Sequence, residues 1–317
     1  MYSLWKYIGR KLLNLLPVLF GLTIIAFLLG VIAPGDPAEL LLTSDNMTEP
    51  SPEEIQEMRV KLGLDQPLHL QYFTWLTRAL QGDLGRSYMT REPVLTEILR
   101  RLPITLSLSL FAGLFAMSAG VSIGILMAVF HNTVYDRCGQ LLSLVTISIP
   151  GFWFAIFLIH IFAEQLHLLP TSGYGSCKHL ILPALVLAAA SSGFTMRLTR
   201  VSLLDELHKE YIMTAQAKGL QEYVVVLKHA FFNAFIPVVT FVGTYFGHIL
   251  GGSVIVEVIF ALPGIGQFAI EGVLARDYPV IQGYVLLSGT IFVVINLLVD
   301  LIYVFINPQI RLGATIG

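Results

Sequence analysis

The stretch "EYIMTAQAKGLQEYVVVLKHAFFNAFIPV", Glu210 to Val238, carries Glu210, Lys218, Glu222, Lys228 and His229 between two long apolar runs. Among the charges lie the small residues Ala215, Ala217 and Gly219. Residues 210–218 favour a helix, and Gly219 supplies the left-handed turn at which helices commonly stop. A second helical stretch, 221–232, leads to Pro237 and the next apolar run. Ala215 and Gly219 are four apart, so on a helix they share a face and leave a shallow place for another surface to approach. A short helix–Gly–helix lying along a membrane face, too polar for lipid, suits docking of a soluble partner. A surface hairpin that binds nothing fits the same spacing.

The rest of the chain explains why such a segment stands out. Of 317 residues, 55% are hydrophobic and only 13% charged, about half the charged fraction of soluble domains; mean hydropathy is +0.75. A net charge of -2 argues against a nucleic-acid binder, which shows a basic stripe. Six apolar runs approach the roughly 20 residues that cross a bilayer: 12–32, 104–130, 141–163, 180–196, 236–259 and 284–306. Alternation of period two, the mark of a membrane barrel, is missing. The expected fold is an all-α integral membrane bundle of six transmembrane helices.

Short flanking segments on one side receive Lys6, Arg10, Lys11, Arg137, Arg197 and Arg200. Lys209, Lys218, Lys228 and Arg311 fall on that side too, against Lys178 and Arg276 on the other. Positive charge marks the cytoplasmic side, so both termini and the 210–219 segment are expected there. The long loop 34–101 is then extracytoplasmic, with eleven acidic and seven basic residues. The first run is longer than a secretory signal core and lacks a clear small-residue cleavage site, so an uncleaved anchor is expected. Cys138 and Cys177 fall on opposite sides and cannot pair within the chain.

Near residue 102 the character changes. Residues 1–102 comprise one span plus an external region of soluble-domain chemistry. Residues 103–317 comprise five spans with short connections, except for the loop 200–236. In the external region, "SPEEIQEMRVKLGL" reads as an amphipathic helix with Ser51 as N-cap, Pro52 in its first turn and Gly63 as its stop. A second helix, "LHLQYFTWLTRAL", bears Tyr72, Phe73 and Trp75. It either covers a pore or docking surface, or packs on the outer ends of the spans. Small residues recur every four positions at Gly120, Gly124 and Ala128, and at Gly243, Gly247 and Gly251, a spacing that lets helices approach closely in lipid.

Catalytic signatures are missing: no phosphate loop, zinc helix or nucleophile elbow occurs. "LPGIG", 262–266, has Gly-x-Gly without a strand–turn–helix setting. Acidic residues near spans, Glu164, Glu257 and Asp300, sit toward the ends, which argues against ion coupling. His248 lies midway along the fifth run and His160 in the outer part of the third. Each either contributes to a metal or polar path or makes a structural hydrogen bond. Cys177 and His179 are a weaker metal signal.

"EYIMTAQAKGL" followed by "HAFFNAFIPV" resembles the cytoplasmic signature of ABC-importer permeases, Glu-Ala-Ala followed after three residues by Gly, with Tyr211 and Ile212 replacing the alanines. "APGDPA", "LGLDQPL", "GDLGRSY", "VIVEVIFALPGIGQFAI", "RDYPVIQG" and "NLLVDLIYVFINPQIR" resemble the dipeptide, oligopeptide and nickel permease family, first-subunit type, in consistent order to about residue 311. The resemblance implies a type I importer fold in a bacterial cytoplasmic (inner) membrane. It implies a second homologous permease subunit as heterodimer partner, two cytoplasmic ATPase subunits that hold ATP and Mg, and an extracytoplasmic substrate-binding protein. This chain itself is implied to be non-catalytic and to hold no cofactor. Residues Glu210, Ala215, Lys218 and Gly219 map onto the coupling helix that seats in an ATPase cleft. "LHLLPTSGYGSCKHLILPA", 166–184, looks like the nickel branch, although peptide permeases have equally short loops. The expectation is a permease for nickel, free or chelated, or for short peptides. An ion-coupled transporter or channel is the rival of another class.

Overall fold

The computed structural model describes residues 2–32, 35–45 and 50–306, less some side chains on the helices. Thirteen α-helical segments follow one another among the described residues. They begin with α1 (Tyr2–Ile32), α2 (Pro37–Asp45), α3 (Pro52–Leu62) and α4 (Leu68–Leu80). The chain continues through α5 (Val94–Val129), α6 (Val134–Ser148), α7 (Gly151–Leu158), α8 (Lys178–Leu207) and α9 (Glu210–Ala217). It ends with α10 (Glu222–Val224), α11 (Phe231–Ile259), α12 (Ile265–Leu274) and α13 (Tyr278–Ile306). Wider π-type turns extend α7 over Ile159–Gln165 and join α10 to α11 over Val225–Ala230. The motif end beyond Ile306, with Arg311, lies outside the described residues.

Among the described residues four helical stretches are long and apolar enough to cross a membrane: Gly9–Ile32, Val94–Val129, Lys178–Leu207 and Tyr278–Val299. The run 236–259 falls on α11, 29 residues long. The run 141–163 is not one straight helix: Val134–Ser148 and Gly151–Gln165 meet at 106°. Pro150 provides the reason. Its ring disfavours helical geometry in the residue before it, and Ile149 is extended, with φ -73° and ψ 125°.

The chain divides into two compact units. Among the described residues, one comprises Leu106–Leu262 with 294–306 and 2–4; the other comprises Trp5–Thr105 with Pro263–Val293. In the first unit α8 is the most buried of the four long stretches. It packs on α5, α6, α7 and α11 around Leu108, Ala155, Leu182, Val186, Phe260 and Leu262. Close helix approach depends on the glycines expected for it: a Cβ on Gly120 would lie 2.5 Å from Thr195 Cβ, and one on Gly124 would lie 2.7 Å from the Met196 carbonyl. Gly243 backs onto Val299, whereas Gly251 faces open space.

In the second unit α3 is closed at both ends by local chemistry. Ser51 Oγ accepts from Glu54 N–H at 3.3 Å while Ser51 N–H donates to Glu54 Oε2 at 2.8 Å, a full capping box. These bonds hold the Glu54 carboxyl below the usual range. Gly63 ends the helix at φ +71°. The aromatics of α4 turn toward α1: Tyr72 meets Phe27 edge-on at 5.4 Å, its hydroxyl lies 2.7 Å from Thr23 Oγ1, and Trp75 lies 5.9 Å from Phe27. The packing alternative holds for these two rings, while Phe73 is exposed.

A carboxylate latches the family motifs together. Asp277, before α13, is buried; its Oδ2 accepts from Ser87 Oγ at 2.6 Å and from Tyr88 N–H at 2.7 Å. Burial, then the nearby Asp277 charge, pushes the Tyr88 phenol well up. Asp277→Ala would strand these buried donors, at a cost of about 2 to 3 kcal/mol. Trypsin cleavage at Arg86 and Arg91 in folded protein is expected to accelerate; an unchanged rate would show that the loop does not depend on the latch.

The candidate coupling site

The 200–236 connection begins where α8 runs out. His208 ends it, its ring nitrogen 2.6 Å from the Leu204 carbonyl. Lys209 is extended at φ -77° and ψ 149°, turning the chain into α9. Ile212 and Ala215 are three apart and bury one face of α9 against Leu203, Val225, Val226, Ala230 and Ala234. Ile212 is fully buried.

Charge and hydrogen bonding fix the turn. Glu206 is buried near the C-terminal end of α8, where the helix dipole disfavours a negative charge. Two donors offset this: Lys209 Nζ at 2.6 Å from Oε1, and Tyr211 Oη at 2.7 Å from Oε2. The same phenol accepts from Asn233 Nδ2 at 3.1 Å, on α11. Burial and the bond to Glu206 raise the Tyr211 pKa against the opposing effect of Asn233, and Glu206 likewise raises Lys209. The departures from the Glu-Ala-Ala pattern therefore have structural duties. Tyr211 bridges α8 and α11, and Ile212 is the core anchor of α9.

Each expected coupling residue has a place on or beside α9. Glu210 lies exposed in the first turn of α9, where its negative charge suits the helix start. Lys218 closes the helix, exposed, and Gly219 follows at φ +77° with its N–H 2.9 Å from the Gln216 carbonyl. A Cβ on Gly219 would meet nothing within 4 Å. Ala215 is elsewhere: it packs into the chain's own cluster and is not on the open side with Gly219. The outward small residue is Ala217, flanked by exposed Met213, Leu220 and Tyr223. Counting by threes and fours from Glu210 reaches Met213 and Ala217, and that signal was present in the sequence.

Among the described histidines, His160 and His179 do not join this site or each other. Both ring nitrogens of His160 are engaged within its own turn, Nδ1 with Glu164 Oε2 at 2.9 Å and Nε2 with Gln165 Nε2 at 3.0 Å. The His248 side chain lies outside the described residues. His179 Nδ1 is 3.0 Å from Ser176 Oγ. Among the described residues no group of three His, Cys, Asp or Glu side chains is placed to hold a metal ion.

Fold and site together define a polytopic helical membrane protein in which α8 and α11 are joined by a buttressed helical turn. The chain belongs to the permeases of ABC importers: it matches the family of binding-protein-dependent transport system inner membrane components over residues 120–312, and that family's N-terminal region over residues 4–109. It is 45% identical over 306 residues to the glutathione transport system permease protein GsiC of Salmonella paratyphi A, covering 96% of this chain and 99% of the relative. The GsiC permease of Escherichia coli K12 is 43% identical over the same lengths. An inward-facing MetNI methionine ABC transporter shares the fold at TM-score 0.59 and 19% identity, over 68% of this chain and 99% of that one. An amino acid ABC transporter solved with histidines gives TM-score 0.52 at 17% identity, over 68% of this chain and 94% of that one. The protein is thus a non-catalytic, multi-pass permease subunit of a bacterial inner membrane, with the fold of type I importers. The family implies ATPase subunits and a substrate-binding protein as its partners. Membership also removes the ion-coupled transporter and channel alternatives.

Proposed function

We propose that this subunit, paired with a second homologous permease, forms the path for short peptides of the glutathione type. The carrying observation is the 45% identity to glutathione permeases across 96% of the chain. The reading moves the substrate from nickel toward peptide. The nickel reading rests on the likeness of the 166–184 segment and on His248, whose side chain lies outside the described residues. Both termini and the 200–236 loop face the cytoplasm, and residues 34–101 face outward. Two ATPase subunits hydrolyse ATP; one receives α9 by its exposed side, Glu210, Met213, Ala217 and Lys218, with Gly219 ending the helix. The buried side, Ile212 and Ala215, ties α9 to the spans, so a push on α9 moves α8 and α11.

The test uses the assembled complex in proteoliposomes with its binding protein. ATP hydrolysis is measured with glutathione, with di- to pentapeptides, with nickel, and with nickel plus histidine. Stimulation by glutathione or peptides is expected. Stimulation by nickel species alone would return the assignment to metal and make His248→Ala the next variant.

A further inference from the structure

The second unit holds an open cleft of about 1280 Å³ bounded by the outer end of α1, α3, α4, the 83–88 loop and the start of α13. Its charge is not that of the segment around it. Of the seven basic residues in 34–101, five line it: Arg59, Lys61, Arg78, Arg86 and Arg91. Of the nine acidic side chains described there, only Asp36 and Asp83 do. Asp36 is already matched by Arg59 at 2.7 Å. Among the described residues, neither Lys61 nor Arg78 has an acidic partner at ion-pair distance. An acidic segment has thus gathered its cations around one concavity.

The remaining lining supplies shape and a neutral donor. Trp75, Tyr88 and Tyr278 line it, with Gln71 and Gln282, whose amide nitrogens bond the Leu64, Gln66 and Phe27 carbonyls. The Tyr88 phenol, held neutral by burial, is a hydrogen-bond donor throughout the ordinary pH range. Clefts for small ligands commonly measure about 300–1,000 Å³, so this one has room for a few residues of peptide with water. A scattered solvated cation set would leave both signs mixed along the surface; segregation into a concave, aromatic-lined site is what anion recognition requires.

We propose that this cleft binds short peptides bearing two or more carboxylates, a permease site separate from the coupling helix. The ligand class rests on the peptide reading above; the site itself does not. The assembled complex in nanodiscs, without binding protein, is titrated by calorimetry with triglutamate and with trialanine as probes. Saturable triglutamate binding is expected, weakened at least tenfold by the Lys61→Gln, Arg78→Gln double variant and by raising salt from about 0.05 to about 0.5 M, which shortens electrostatic reach. Trialanine is expected not to bind. Absent triglutamate binding, equal binding of trialanine, or an unaffected double variant would each overturn the proposal. Should triglutamate fail while the double variant loses stimulation by the binding protein, the cleft receives an acidic protein surface, and the peptide site is refuted. Because binding is read directly, nickel-only transport would refute the proposed function and leave this measurement standing.

Discussion

Ala217→Trp is expected to lower substrate-stimulated ATP hydrolysis and transport at least a hundredfold, about 2.8 kcal/mol of lost coupling, while the permease stays folded. Ala217 is exposed on the side of α9 away from its core, so an indole there meets no atom of the chain's own cluster. What it obstructs is a close external contact. Ala215→Trp is the contrasting variant: the same ring must enter the cluster of Leu203, Val225 and Ala230, and overpacking of this kind costs about 1–3 kcal/mol or more of stability. Gly219→Trp is less discriminating, because at φ +77° any side chain adds about 1–2 kcal/mol of backbone strain. Copurification of the ATPase and a melting curve in detergent separate the cases. Ala217→Trp should lose the ATPase at an unchanged melting point, and Ala215→Trp should lower the melting point. Full transport by Ala217→Trp would remove α9 from the coupling role.

Local chemistry was readable; facing and distance were not. Ser51, Pro52 and Gly63 bound α3 as written in the sequence, because caps act within one turn. Gly219 likewise sits where the chain turns left-handed. Ala215 was misplaced because spacing shows which residues share a face but not which face a bundle covers. Ile212, fully buried three positions earlier, identifies that face only after α8 and α11 are in place. The bend at Ile149–Pro150 was hidden by an unbroken apolar run, although the proline itself was visible. Asp277 and Ser87, 190 positions apart, had no local sign of their bond. Both belong to stretches that the family resemblance had singled out. The cation-lined cleft was equally invisible, since its charges come from four separate segments.

The pair between α6 and α8 carries the largest expected stability effect. Asp136 is buried, and Arg200 grips it with two bonds, Nε to Oδ1 at 2.7 Å and Nη2 to Oδ2 at 2.8 Å. Gln140 Nε2 at 2.9 Å and the Asn132 N–H at 3.0 Å complete the shell. Asp136→Ala removes the acceptor and leaves a guanidinium largely out of water beside His131, 3.0 Å away. Stranding one member of a buried pair costs about 3 to 5 kcal/mol, so a clear fall in melting temperature is expected. Arg200→Lys should recover little, because an ammonium cannot form the two parallel bonds. The double variant Asp136→Leu, Arg200→Met is the decisive control. If the pair acts mainly by avoiding an unpaired charge, the apolar pair should melt near wild type, whereas each single change melts early. If the double variant melts as early as Asp136→Ala, the bidentate geometry itself holds α6 against α8, and shape without charge does not replace it.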